Sequence, residues 1–94
     1  MVRILLVDDD TTFCLMLKTW LVKRGFDVTE AFSVDAALKA LSAGQYDVAL
    51  TDLRLPDKDG IFLLEKIKAT YPKTQVILMT GYADIQTAVH AMKS

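Results

Sequence analysis

Three acids in succession, Asp8-Asp9-Asp10, close an apolar run that opens Ile4-Leu5-Leu6-Val7; a second run ends in Thr51-Asp52 and a third in Thr80-Gly81. Carboxylates brought together by such tips repel one another until a cation sits among them, and a set of purely oxygen ligands suits a hard divalent ion such as Mg²⁺. Asp10 alone is explained as a helix start, where a carboxylate meets free amides and the positive end of the dipole. Asp8 and Asp9 are not explained in that way, because a cap needs one residue.

The elements that position these tips follow from periodicity. Residues 3–7 form an apolar run short enough for a strand buried on both faces. Helical spacing then takes over for 11–24, with Phe13, Leu17, Trp20, Leu21 and Arg24 three or four apart, Thr11 or Asp10 at its start and Gly25 at its end. A second strand is predicted over 26–31, an Ala-rich helix over 34–41 capped by Ser33, and a third strand over 46–51 that ends at Asp52. The Pro-, Gly- and Asp-dense stretch 53–60 reads as a loop. A helix over 61–70 closed by Pro72, a strand over 75–79 and a last helix from an Asp84 cap to about Met92 complete the pattern. Four βα units with crossovers of a dozen or more residues require parallel pairing, and right-handed crossovers place helices on both faces. The polar tips then share the strand-end edge at which open α/β sheets bind ligands.

Composition bounds what such a site serves. The 94 residues make one small domain, and 52% hydrophobic content supplies a core and excludes a disordered chain. With 11 Lys and Arg against 12 Asp and Glu, the net charge of −1 offers no basic field for nucleic acid or membrane, so direct contact with either is not expected. No apolar run approaches the ~18 residues of a membrane span and no basic leader precedes one, which predicts a cytoplasmic protein. Cys14 has no partner for a disulfide and no metal-ligand spacing, so it reads as a small core residue. His90 reads as a surface or half-buried residue, and Met79, Met92 and Trp20 as core.

The spacing sharpens the chemistry: Asp52 follows Asp9 by 43 positions and Thr80 follows Asp52 by 28, whole βα units in each case. Taken with Val7-Asp8-Asp9-Asp10, Asp52-Leu53-Arg54-Leu55-Pro56-Asp57-Lys58-Asp59-Gly60 and Met79-Thr80-Gly81-Tyr82, the chain resembles the receiver domains of two-component response regulators along essentially its whole length. The stretch from Thr80 to Ser94 is similar to the nitrogen-regulatory, NtrC-like transcription activators. The resemblance implies a flavodoxin/CheY-like doubly wound parallel sheet. It implies that Asp52 accepts a phosphoryl group from a sensor histidine kinase or phosphotransfer protein, controlling a transcription-regulating output elsewhere in the parent protein. Asp9 and Asp52 would bind Mg²⁺ directly, Asp8 through water and Arg54 through its backbone carbonyl. Thr80 would hydrogen-bond the phosphoryl oxygens and Gly81 would offer its N–H. Such a chain catalyses at most its own phosphorylation and dephosphorylation. In the family, the positions held here by Arg54 and Tyr82 flank the path of the hydrolytic water, and their bulk predicts slow loss of phosphate.

The family pattern is not complete in 94 residues. Ser94 falls within or just after the fourth helix, so the resemblance implies a C-terminally incomplete receiver over 1–94, strand order 2-1-3-4, with the fifth βα unit absent. The family's strand-five lysine and switch aromatic would lie beyond Ser94. An open strand-four edge predicts a homodimer through that edge or the helix-four face, or an aggregation-prone fragment. An alternative function is a phosphorylation-incompetent receiver remnant that serves as a dimerisation or interaction module. A haloacid-dehalogenase-like phosphatase is disfavoured because Arg54 stands where those enzymes carry a second aspartate. A dinucleotide-binding fold is disfavoured because Asp8-Asp9-Asp10-Thr11-Thr12 lacks glycines and would repel pyrophosphate.

Overall fold

In a computed structural model, residues 1–79 together with Gln86, Val89 and His90 are described. They form β1 (Arg3–Val7), α1 (Thr11–Lys23), β2 (Asp27–Ala31), α2 (Val34–Ala43), β3 (Val48–Asp52), α3 (Gly60–Thr70) and β4 (Gln75–Met79). All strand pairs are parallel, in the order β2-β1-β3-β4. The parallel pairing is what the βα alternation implies, and the doubly wound order is the one the resemblance implies.

Period-two alternation explains the two cores. Ile4 and Leu6 of β1, with Val48 and Leu50 of β3, meet Cys14, Leu17 and Leu21 of α1 on one face. Leu5 and Val7, with Ala49, meet Val34, Ala37 and Leu41 of α2 and Leu63 and Ile67 of α3 on the other. The β1 residues Ile4, Leu5, Leu6 and Val7 are fully buried, as the central place of that strand requires. Burial of each such side chain contributes about 1.5–3 kcal/mol relative to exposure. Val89 joins the α1-side core and is helical, as are Gln86 and His90; the remainder of the expected fourth helix, with Asp84 and Met92, lies outside the described residues. His90 is exposed and Met79 is core, as expected.

The element ends show which local signals operate. Asp10, not Thr11, caps α1 by accepting the Phe13 N–H at 3.0 Å. Ser33 caps α2 through Ala36 at 3.0 Å, and Asp59 caps α3 through Phe62 at 2.8 Å. Gly25, at φ 91°, supplies the left-handed turn after α1. β3 begins at Val48 rather than Tyr46; ahead of it the Tyr46 carbonyl accepts the Thr74 hydroxyl at 2.7 Å, and the Asp47 carboxylate accepts the Arg3 N–H at 2.8 Å. Arg24 is exposed, with its guanidinium 3.6 Å from the Trp20 ring centre. Among the described residues, no helix is long and apolar enough to cross a membrane.

Candidate functional site

Register carries the acids to one place. Val7 of β1 stands beside Thr51 of β3, and the next residues along these parallel strands are Asp8 and Asp52. Asp52 in turn stands beside Met79 of β4. Asp8, Asp9 and Asp52 each offer a carboxylate oxygen, and these atoms lie within 4.8 Å of one another. Asp8 is buried, Asp52 half-buried and Asp9 exposed, so the cluster opens from the sheet edge to solvent. Asp10 points elsewhere in function, its carboxylate being taken by the α1 cap.

The electrostatics are one-sided. Burial is the main force pushing the Asp8 carboxyl above its ordinary range; the charges of Asp52, Asp9 and Asp10 push the same way, and only the Asp10 N–H, donating to Oδ1 at 2.9 Å, opposes them. Among the described residues none of the three acids has an ion pair. Magnesium binds oxygen at about 2.0–2.1 Å, so ligands on opposite sides of it stand about 4 Å apart. Three carboxylate oxygens at the observed spacing fit that ion with a small closing movement or an intervening water.

Cys14 borders the cluster without joining it. Its Sγ–H donates to the Asp8 carbonyl at 3.3 Å, and burial, helped by the surrounding acids, pushes the thiol up to about 12. It stays protonated at neutral pH, which removes it as a nucleophile.

The 53–59 loop is folded back tightly on Asp52. The Gly60 N–H donates to the Leu53 carbonyl at 2.8 Å, and Arg54 forms an isolated antiparallel bridge with Asp59. A Cβ on Gly60 would collide with the Asp52 carbonyl oxygen, so only glycine lets α3 start against the end of β3. That same oxygen accepts the Thr51 hydroxyl at 3.0 Å. Arg54 therefore leaves Asp52 along a constrained path, with its residue exposed. Thr80, Gly81 and Tyr82 lie outside the described residues.

Sequence reasoning identified the three clustered acids but passed over two loop residues. Gly60 was visible only as a turn residue, and Asp57 only as one polar residue among several; the contacts they make come from elements distant in sequence. Shape alone is also a poor guide: an open groove of about 770 Å³ lies at the opposite edge of the sheet, among Arg3, Tyr46, Asp47 and Thr74, away from the clustered acids.

A parallel 2-1-3-4 sheet with acids at the C-terminal ends of β1 and β3 defines a receiver-type α/β domain. The chain matches the response regulator receiver domain over residues 4–94 and belongs to that family. It is 39% identical over 93 residues to the transcriptional regulatory protein ZraR of Escherichia coli, covering 99% of this chain and 21% of ZraR. It is 40% identical over 85 residues to the DNA-binding transcriptional regulator NtrC of Proteus hauseri, covering 90% of this chain and 18% of NtrC. The chain thus spans about a fifth of the length of these curated relatives. Its fold is similar to that of the response regulator TrrA of Thermotoga maritima, solved in complex with Mg²⁺-BeF, with a TM-score of 0.81 and 28% identity over 100% of this chain and 82% of that one.

Proposed function

We propose that Asp52 is the phosphoacceptor of this receiver domain, with a sensor histidine kinase or phosphotransfer protein as donor. The convergence of Asp8, Asp9 and Asp52 carboxylate oxygens within 4.8 Å carries this reading. An Asp52 carboxylate oxygen attacks the donor phosphorus; the P–N bond to the donor imidazole breaks, its electron pair stays on nitrogen, and an aspartyl phosphate remains. A carboxylate is a weak nucleophile, so catalysis rests on positioning and on neutralising charge. Asp9 and Asp52, Asp8 through water, and the Arg54 carbonyl would hold Mg²⁺, which when bound offsets the negative charge that the acids and the phosphoryl group bring together. Thr80 would donate its hydroxyl, and Gly81 its N–H, to the phosphoryl oxygens. The Mg²⁺-BeF complex of TrrA supports the choice of ion and of a phosphoryl ligand.

The similarity to ZraR and NtrC supports a cytoplasmic setting and an output that regulates transcription in the parent protein. Incubation with acetyl phosphate and Mg²⁺, read by intact mass, is expected to add one phosphoryl group to the wild-type chain and none to Asp52→Ala. Equal labelling of both would move the acceptor elsewhere. Mg²⁺ binding without any labelling would favour an interaction module instead.

A further inference from the structure

Asp57 stands outside the acidic cluster, three positions past Arg54, and its carboxylate reaches a different element. Oδ1 accepts the Val34 N–H at 2.9 Å and Oδ2 accepts the Asp35 N–H at 2.9 Å, while the Lys58 N–H also donates to Oδ1 at 3.1 Å. Val34 and Asp35 open α2, and such first-turn amides have no acceptor within their own helix. Ser33 Oγ takes the next one, from Ala36. The opening of α2 is therefore satisfied jointly by its own cap and by a residue 23 positions away.

The same loop is secured at its other end by the Gly60 to Leu53 hydrogen bond and the Arg54–Asp59 bridge. Leu55 packs against the core cluster that includes Val34, Leu63 and Ile67. Arg54 thus sits in a loop closed at its base by the start of α3 and attached through Asp57 to α2. Accepting these amides holds the Asp57 carboxyl below its ordinary range, the Val34 N–H first and Asp35 next, so it is ionised wherever the domain would work.

We propose that Asp57 is a positioning residue for the phosphoacceptor site: a two-pronged strap to α2 that fixes the 53–59 loop and, with it, the backbone of Arg54, two residues past Asp52. The inference rests on the proposed function, since it takes the Arg54 carbonyl as a cation ligand. Coupling of this kind is reciprocal. A cation held at the cluster steadies the first turn of α2, and loss of the α2 attachment weakens the cation.

The test uses the full chain and Mg²⁺ alone, with calorimetric titration and amide hydrogen exchange on wild type, Asp57→Ala and Asp57→Asn. Asp57→Ala is expected to raise the Mg²⁺ dissociation constant about tenfold, the scale of losing a residue that orients a ligand. Asp57→Asn, which keeps one acceptor oxygen, is expected to fall between. Mg²⁺ is expected to slow exchange at Val34 and Asp35 in wild type but not in Asp57→Ala, a difference that a purely stabilising cap would not produce. A wild-type dissociation constant and wild-type slowing in Asp57→Ala would overturn the strap and leave the phosphoacceptor reading standing. A wild-type chain that neither binds Mg²⁺ nor takes a phosphoryl label would overturn both.

Discussion

The two edges of the sheet treat charge in opposite ways. At the N-terminal ends of the strands, polar groups answer one another: the Arg3 N–H meets the Asp47 carboxylate at 2.8 Å, Arg3 Nε meets Asp27 at 3.2 Å, and the Arg3 guanidinium lies 4.9 Å from the Tyr46 ring centre. At the C-terminal ends, Asp8, Asp9 and Asp52 face one another with no counter-charge among the described residues. The satisfied edge holds an open groove, and the unsatisfied edge holds the clustered carboxylates of the candidate site. Clustered like charges carry a cost in the folded state, and that cost becomes an affinity when a cation arrives.

The sharpest way to break the contrast is to disturb the acid edge without touching an acid. Gly60→Ala places a Cβ on the Asp52 carbonyl, and the overpacking is expected to cost about 1–3 kcal/mol in denaturant unfolding and to lower acetyl-phosphate labelling. A Gly60→Ala chain with unchanged stability and labelling would show that the loop has slack.

A smaller effect compares the edges by sign. In chelator, Asp8→Asn removes a buried negative charge while its amide oxygen keeps the Asp10 N–H, and a gain in stability is expected, with weaker Mg²⁺ binding. Asp47→Ala at the other edge is expected to lose about 1 kcal/mol and leave Mg²⁺ binding alone. Chemical unfolding with and without Mg²⁺ measures both; matching signs would erase the distinction between the edges.

Smallest is the acid dependence of the α2 strap. Asp57 titrates lower in the folded chain than the ordinary 3.8, so its contribution is present above that value and is lost as pH falls through the depressed folded value. The stability difference between wild type and Asp57→Asn is expected to shrink across that acidic window. Unfolding curves collected down to pH 2–3, about the region below ordinary carboxylate titration, check it; a difference that persists undiminished would remove the carboxylate from the account.

Much of the fold was legible because its signals are local. β1 and β4 fall on their expected residues, and Ser33 and Gly25 punctuate as expected, since apolar runs, caps and φ preferences act within a few residues. Boundaries shifted where residues distant in sequence supply the contacts, as the Thr74 hydroxyl does at the Tyr46 carbonyl just before β3. The acids of the candidate site were legible because whole βα units return the chain to the same edge. The spacing of Asp8, Asp9 and Asp52 could be counted, but their separation could not.

The amino-acid sequence by itself determined the order of elements, the parallel sheet and the family, because hydrophobic periodicity and short ordered motifs are written along the chain. Only the tertiary structure decided which carboxylates face one another, that Gly60 must lack a side chain, and that Asp57 completes the start of α2. Those contacts depend on register and on approach between segments far apart in sequence, and no local propensity encodes a distance.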